Sequence, residues 1–200
     1  MTARAPTALA ACPNCGAGLQ SSLACLACGA LLDEAAGASH FQRLGLPPAA
    51  NVDLQAAERN YLRLSRALHP DFHGGEGEAA RERANAASAR LNEAWSVISN
   101  PPERAEYLLE LLEPGVMDRT KQLSPAFLAE AMELSEEVEG AGADPAATER
   151  LRARVRADAD ARLAAILQPA AWTQPDTHKL ATALHELRVV RRVLRDLGAA

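Results

Sequence analysis

The sequence predicts an all-α protein with a small cysteine-bearing module ahead of its helices, and three observations predict it. Helix formers such as Ala, Leu, Glu and Arg dominate the 200 residues, while aromatics make up only 4% and β-branched residues are sparse. Apolar residues recur at spacings of three and four from Leu54 onward. All four cysteines stand near the N-terminus in two Cys-x-x-Cys pairs. A 48% apolar share is ample for the buried core of one ordinary domain or two small ones. No apolar run approaches the roughly 20 residues that a spanning helix needs, so no membrane segment is expected. With 21 Lys and Arg against 26 Asp and Glu, the net charge of −5 argues against a general affinity for nucleic acid.

The first block, residues 1–36, holds Cys12, Cys15, Cys25 and Cys28. Leu9-Ala10-Ala11-Cys12 imitates a lipoprotein cleavage site, but Met1 to Ala8 contains Arg4 and Pro6 and no hydrophobic segment. The expected compartment is therefore a reducing cytoplasm, where such cysteines serve as metal ligands more often than as disulfides. Each Cys-x-x-Cys-Gly unit can curl into a knuckle, its Gly relieving strain, and two knuckles supply four thiolates in a zinc-ribbon-like or rubredoxin-like site. Structural zinc is the favoured ligand. Iron, a redox dithiol pair and an unmetallated tail are the alternatives.

The second block spans residues 40–113. Leu54, Ala57, Tyr61, Leu64 and Leu68 share one helical face, and Arg59, Arg63 and Arg66 fall on the opposite one. Pro70 ends this helix near His69. A loop with Gly74, Gly75 and Gly77 leads to a second helix over Arg81 to Ser99, with Ala84, Ala87, Leu91, Ala94 and Ile98 inward. Pro101-Pro102 ends it, and Glu103 to Glu113 forms a shorter helix. The expected result is an antiparallel hairpin braced by short helices.

Pro114-Gly115 opens a linker, residues 114–123, and Gly140-Ala141-Gly142-Ala143 is a second break. Residues 124–200 then form a three-helix bundle. Ser124-Pro125, Asp144-Pro145 and Asp176 start its helices. Leu151, Val155, Ala159 and Ile166 line one helix, and Leu180, Leu184, Leu187, Val190, Leu194 and Leu197 line the last.

His69-Pro70-Asp71 follows the basic-faced helix at the mouth of the Gly-rich loop. By itself it could be a Pro-terminated helix with a polar turn. In context it resembles the signature of a J-domain. The segments Phe41-Gln-Arg-Leu44-Gly45-Leu46-Pro47, Leu91-Asn92-Glu93-Ala94-Trp95 and Arg104-Ala105-Glu106-Tyr107-Leu108-Leu109 narrow the resemblance to the HscB-type J-proteins of iron–sulfur cluster assembly. Phe127 to Glu137 is similar to that family's acidic C-terminal helix, so the likeness covers about residues 40–200.

The resemblance implies a co-chaperone without catalytic chemistry of its own. Its J-domain would bind an HscA- or DnaK-type chaperone of the seventy-kilodalton heat-shock class and accelerate ATP hydrolysis there, with His69, Pro70 and Asp71 as the trigger. Arg59, Arg63 and Arg66 can pair with an acidic chaperone surface; alone, such a row would read as a solvated face. The C-terminal bundle would hold an IscU-type scaffold through Leu128, Met132, Glu133 and Val189. Ala129 and Val189 are smaller than the residues the family often has there, and helical spacing alone equally allows Leu128 and Met132 to be core residues. Some family members carry an N-terminal tetracysteine zinc module, and this chain resembles those. The rivals are a general DnaJ-like folding co-chaperone and a cysteine-based iron-delivery or redox protein. Cysteines placed before the hairpin and the missing Gly/Phe-rich linker disfavour the first.

His40, His73, His178 and His185 have no second ligand at a credible spacing and read as exposed or capping groups, while Trp95 and Trp172 read as packing residues. No phosphate-binding loop and no nucleophile paired with a base is recognisable, so no ATP site and no enzyme activity are expected.

Overall fold

The computed structural model describes residues 11–72, 77–142 and 144–198. His73, Gly74, Gly75, Glu76, Ala143, Ala199, Ala200 and the segment from Met1 to Ala10 lie outside the described residues. The chain forms two compact units divided between Arg104 and Ala105. Among the described residues all regular structure is helical, supplemented by isolated bridges Ala11–Gly18 and Ala24–Leu31. No helix among them is long and apolar enough to cross a membrane.

The first unit begins with the cysteine module and continues into helices α1 (His40–Leu44), α2 (Leu54–Ala67) and α3 (Glu78–Ser99). Ser39 caps α1 through a reciprocal capping box with Gln42, and Asp53 caps α2 by accepting from the Ala56 amide. Helices α1 and α2 pack on α3. Ala57, Leu64 and Leu68 face Ala84, Ala87, Leu91, Ala94 and Ile98 in a dry core, as the periodicity predicts. Leu54 departs from that face and is exposed, because it begins the helix where little packs over it. Tyr61 instead stacks on Trp95 at 5.0 Å. Helix α3 starts at Glu78, earlier than the sequence suggests, with Gly77 as its cap.

Helix α4 (Pro101–Leu112) opens on the proline pair that was expected only to end α3. Proline fits the first turn of a helix because the amides there have no intrahelical acceptor. Arg104 in this turn is buried, and its guanidinium donates to the carbonyls of Ala50 at 2.8 Å and Ile98 at 2.5 Å.

The second unit takes in the rest of α4 and helices α5 (Val116–Arg119), α6 (Pro125–Ala141), α7 (Pro145–Ile166), α8 (Pro169–Thr173) and α9 (Thr177–Asp196). The segment expected to be a bare linker thus contains α5, whose Val116 and Met117 are buried in this unit's core. Two apolar side chains outweigh the Pro114-Gly115 breaker once a bundle is present to receive them. Ser124, Asp144 and Asp176 cap α6, α7 and α9 with side-chain oxygens, as read from the sequence. Gly140 lies inside α6, and the break falls at Gly142. Leu151, Val155, Ala159, Ile166, Leu180, Leu184, Leu187 and Val190 form the core, which is closed at one end by Trp172 donating to the Ile166 carbonyl at 2.7 Å.

Candidate functional site

The cysteines are brought together by two copies of one local structure. The Cys12 amide donates to the Ala17 carbonyl at 2.7 Å and the Gly16 amide to Cys12 at 2.8 Å. Thirteen residues later Cys25 with Ala30, and Gly29 with Cys25, repeat those bonds at 2.9 and 2.8 Å. Gly16 and Gly29 sit at φ 74° and 75°, where a side chain would be strained. One isolated bridge, Ala11–Gly18 in the first and Ala24–Leu31 in the second, closes each knuckle.

All four sulfur atoms lie within 4.8 Å of one another, with Cys12–Cys28 and Cys15–Cys25 at 3.8 Å. Tetrahedral thiolate ligands at about 2.3 Å from a metal stand about 3.8 Å apart, so the four cysteines are positioned to bind one metal ion. Cys12 and Cys25 are buried, while Cys15 and Cys28 are exposed. Donation from Asn14 Nδ2, the Ala30 amide and the Cys15 thiol draws Cys28 down to about 6. Cys15 goes up to about 12: a bond from the Ala17 amide pulls it down, but its partner sulfurs and burial outweigh that.

The module is seated on α1 and α3. Glu34 is nearly buried and accepts from Ser22 Oγ at 2.9 Å and Arg43 Nε at 3.0 Å, with Arg90 at 3.8 Å. Arg83 of α3 holds Asp33 at 2.8 Å. At Gly45, which ends α1 with φ 68°, the Gln20 carbonyl approaches so closely that a Cβ would stand 2.6 Å from it. Burial, reinforced by Arg43, pushes His40 below its usual value.

At the far end of α2, Pro70–Phe72 forms a single 3₁₀ turn. His69 Nδ1 accepts the Asp71 amide at 3.3 Å and lies 3.6 Å from the Asp71 carboxylate. The His69 and Asp71 side chains are 55% and 83% exposed, so neither has been drawn into the fold. Ser88 of α3 donates to the Leu68 carbonyl at 3.1 Å and fixes the turn from behind. Arg59, Arg63 and Arg66 are exposed and form no ion pair with any described residue. Phe72, set edge-on to His69 at 6.2 Å and 73% exposed, was missed in the sequence. Its place directly after His69-Pro70-Asp71, in a chain with only three Phe, was the available signal.

In the second unit Leu128 and Met132 are 49% and 68% exposed and stand one turn apart on α6, so they are surface residues and not core. Glu133 is exposed beside them. Glu133 and Val189 line one groove of about 330 Å³ between α6, α7 and α9, while Leu128 and Met132 stand outside its lining. Arg162 bridges Glu130 at 2.6 Å and Asp158 at 2.9 Å over the Phe127 ring.

Comparison with known proteins assigns this arrangement. The chain is 30% identical over 165 residues to the co-chaperone protein HscB homolog of Paraburkholderia phymatum, covering 80% of this chain and 92% of the relative. The homolog of Bordetella pertussis is 32% identical over 164 residues, covering 80% and 95%. The chain belongs to the HscB co-chaperone family. Residues 123–197 match the HSCB C-terminal oligomerisation domain. The fold is similar to that of human co-chaperone protein HscB, with a TM-score of 0.75 at 24% identity over 94% of this chain and 96% of that one. Chaperone HscB from Vibrio cholerae gives 0.65 at 28% identity over 80% and 96%. Within the HscB frame, the Arg104 to Leu109 segment is explained by structure: Arg104 is a buried anchor, Ala105 and Leu109 are core, and Glu106 pairs with Arg188.

Proposed function

We infer that this HscB-family chain is a co-chaperone of iron–sulfur cluster assembly, which stimulates the ATPase of an HscA/DnaK-type chaperone and presents to it an IscU-type scaffold. The observation that carries the reading is the exposed His69-Pro70-Asp71 turn, braced by Ser88 and continuous with the exposed row Arg59, Arg63 and Arg66, which pairs with no acid among the described residues. Rigid Pro70 sets the separation of the His69 and Asp71 side chains, and the arginines steer and hold an acidic surface through transient, salt-sensitive pairs. Leu128 and Met132, apolar and open to solvent, supply the scaffold contact, and Glu133 and Val189 extend it into the neighbouring groove that they line. Exposed apolar pairs rimmed by acids suit a protein partner better than solvent. Cys12, Cys15, Cys25 and Cys28 supply four thiolates that can fill a tetrahedral coordination shell, which suits a structural zinc ion better than a catalytic one that needs an open position. The setting is the cytoplasm.

The test is steady-state ATP hydrolysis by the purified chaperone with this chain and the scaffold added separately and together. The reading requires synergy when both are present, and loss of stimulation in His69→Gln. Stimulation that ignores the scaffold would leave a general J-protein. Full stimulation by His69→Gln would overturn the trigger assignment.

A further inference from the structure

The second cysteine knuckle and the His69-Pro70-Asp71 end of the hairpin are two walls of one open groove of about 750 Å³. Cys28 and Leu31 line it from the module, Arg66 and Phe72 from the end of α2 and the turn after it, and Arg83 from α3. Among the described residues its lining contains two arginines and no carboxylate, within a chain whose net charge is −5. Arg66 belongs both to this wall and to the exposed basic row of α2, so the positive face runs into the groove without interruption. Phe72, among the most exposed large apolar side chains of the molecule, stands at its mouth beside His69. A solvent-filled groove gains nothing from an aromatic wall, from Arg66, which pairs with no acid among the described residues, or from Arg83, whose one acidic partner there is the exposed Asp33; an acidic segment carrying an apolar side chain satisfies all three.

We propose that the metal knuckle is part of the chaperone-docking surface: an acidic surface segment of the ATPase chaperone, tipped by an apolar side chain, fills the groove between Cys28–Leu31 and Arg66–Phe72. This rests on the reading of His69-Pro70-Asp71 as the chaperone trigger and adds to it a second wall that hairpins without the module lack. The module then has a role in affinity beyond its own folding. Asp33, which pairs with Arg83 at 2.8 Å, is 93% exposed and outside the lining, so it competes with the docked segment for Arg83.

The experiment titrates the full-length, metal-loaded chain into the purified chaperone and reads the half-saturating concentration and the maximal ATPase rate separately. Arg83→Glu and Ala30→Glu, which place an acid on either wall, are expected to raise half-saturation about tenfold and leave the maximal rate unchanged. Asp33→Asn removes the same ion pair as Arg83→Glu without adding an acid, and is expected to leave half-saturation unchanged or lower it. Metal content and helicity are measured for each variant; if Ala30→Glu fails to hold metal, Arg83→Glu on α3 carries the test. Unchanged half-saturation in the wall variants, with stimulation abolished in His69→Gln, overturns the groove and leaves the trigger standing. Weakening by Asp33→Asn equal to that by Arg83→Glu also overturns it, by showing that the ion pair acts structurally. Intact stimulation by His69→Gln removes the trigger and the groove with it.

Discussion

Arg104 sets the tone at the scale of single residues. A guanidinium taken out of water with no carboxylate beside it among the described residues must satisfy itself on carbonyls, and it does so on Ala50 and Ile98 while burial pushes its pKa down. Replacing it with Met keeps the volume but leaves two buried carbonyls unmet, so Arg104→Met should cost about 2–3 kcal/mol in chemical denaturation, read as a lower midpoint at unchanged slope. Nothing in the sequence marks Arg104 as buried, since arginines are ordinarily exposed. By contrast, His69 and Asp71 are singled out from sequence because His-Pro-Asp between a basic helix and an antiparallel one resembles the J-domain signature; by itself the tripeptide reads equally well as a Pro-terminated polar turn. Glu34 was invisible: one acid among many, it became a hub only when Ser22, Arg43 and Arg90 converged on it.

At the scale of elements, local rules were reliable where the chain satisfies itself. The cap residues Ser124, Asp144 and Asp176 and the two knuckles follow from short-range geometry, and each is where the sequence puts it. Elements made by burial escaped such reading. Helices α5 and α8 have five residues or fewer, too short to form alone, and exist because Val116, Met117 and Trp172 pack on the bundle. The end of α1 joins both kinds of rule. Gly45 is needed for its left-handed turn and again because the Gln20 backbone of the module crosses over it. Gly45→Ala should therefore destabilise by about 1–3 kcal/mol, and amide exchange should quicken around Gln20 and at the end of α1 while α7 and α9 stay protected.

For the whole molecule, the module is a seated part of the first unit through Glu34, Asp33 and the Gly45 crossing, while the apolar core of the second unit contains none of its residues. Metal binding at the four cysteines is consequently expected to stabilise the first unit. Chelation should raise hydrogen exchange throughout residues 11–46 by at least about tenfold, with little change over α7 and α9; mass spectrometry of peptides from both regions checks it. Equal loss of protection in both units would refute the linkage.

The sequence by itself determined the helical class, the caps, the two knuckles and the proline-terminated turn at His69-Pro70-Asp71, because each depends on a few neighbouring residues and on the period of apolar side chains. It also resembled its family through segments whose meaning was structural, as with Arg104. It could not decide whether Leu128 and Met132 face the core or the solvent, since helical spacing is the same for both and only the packing of α6 on α7 leaves them outside. Nor could it show that Cys28, Leu31, Arg66, Phe72 and Arg83 line one groove. Such neighbours are distant along the chain, and only the packing of the module against the hairpin places them together.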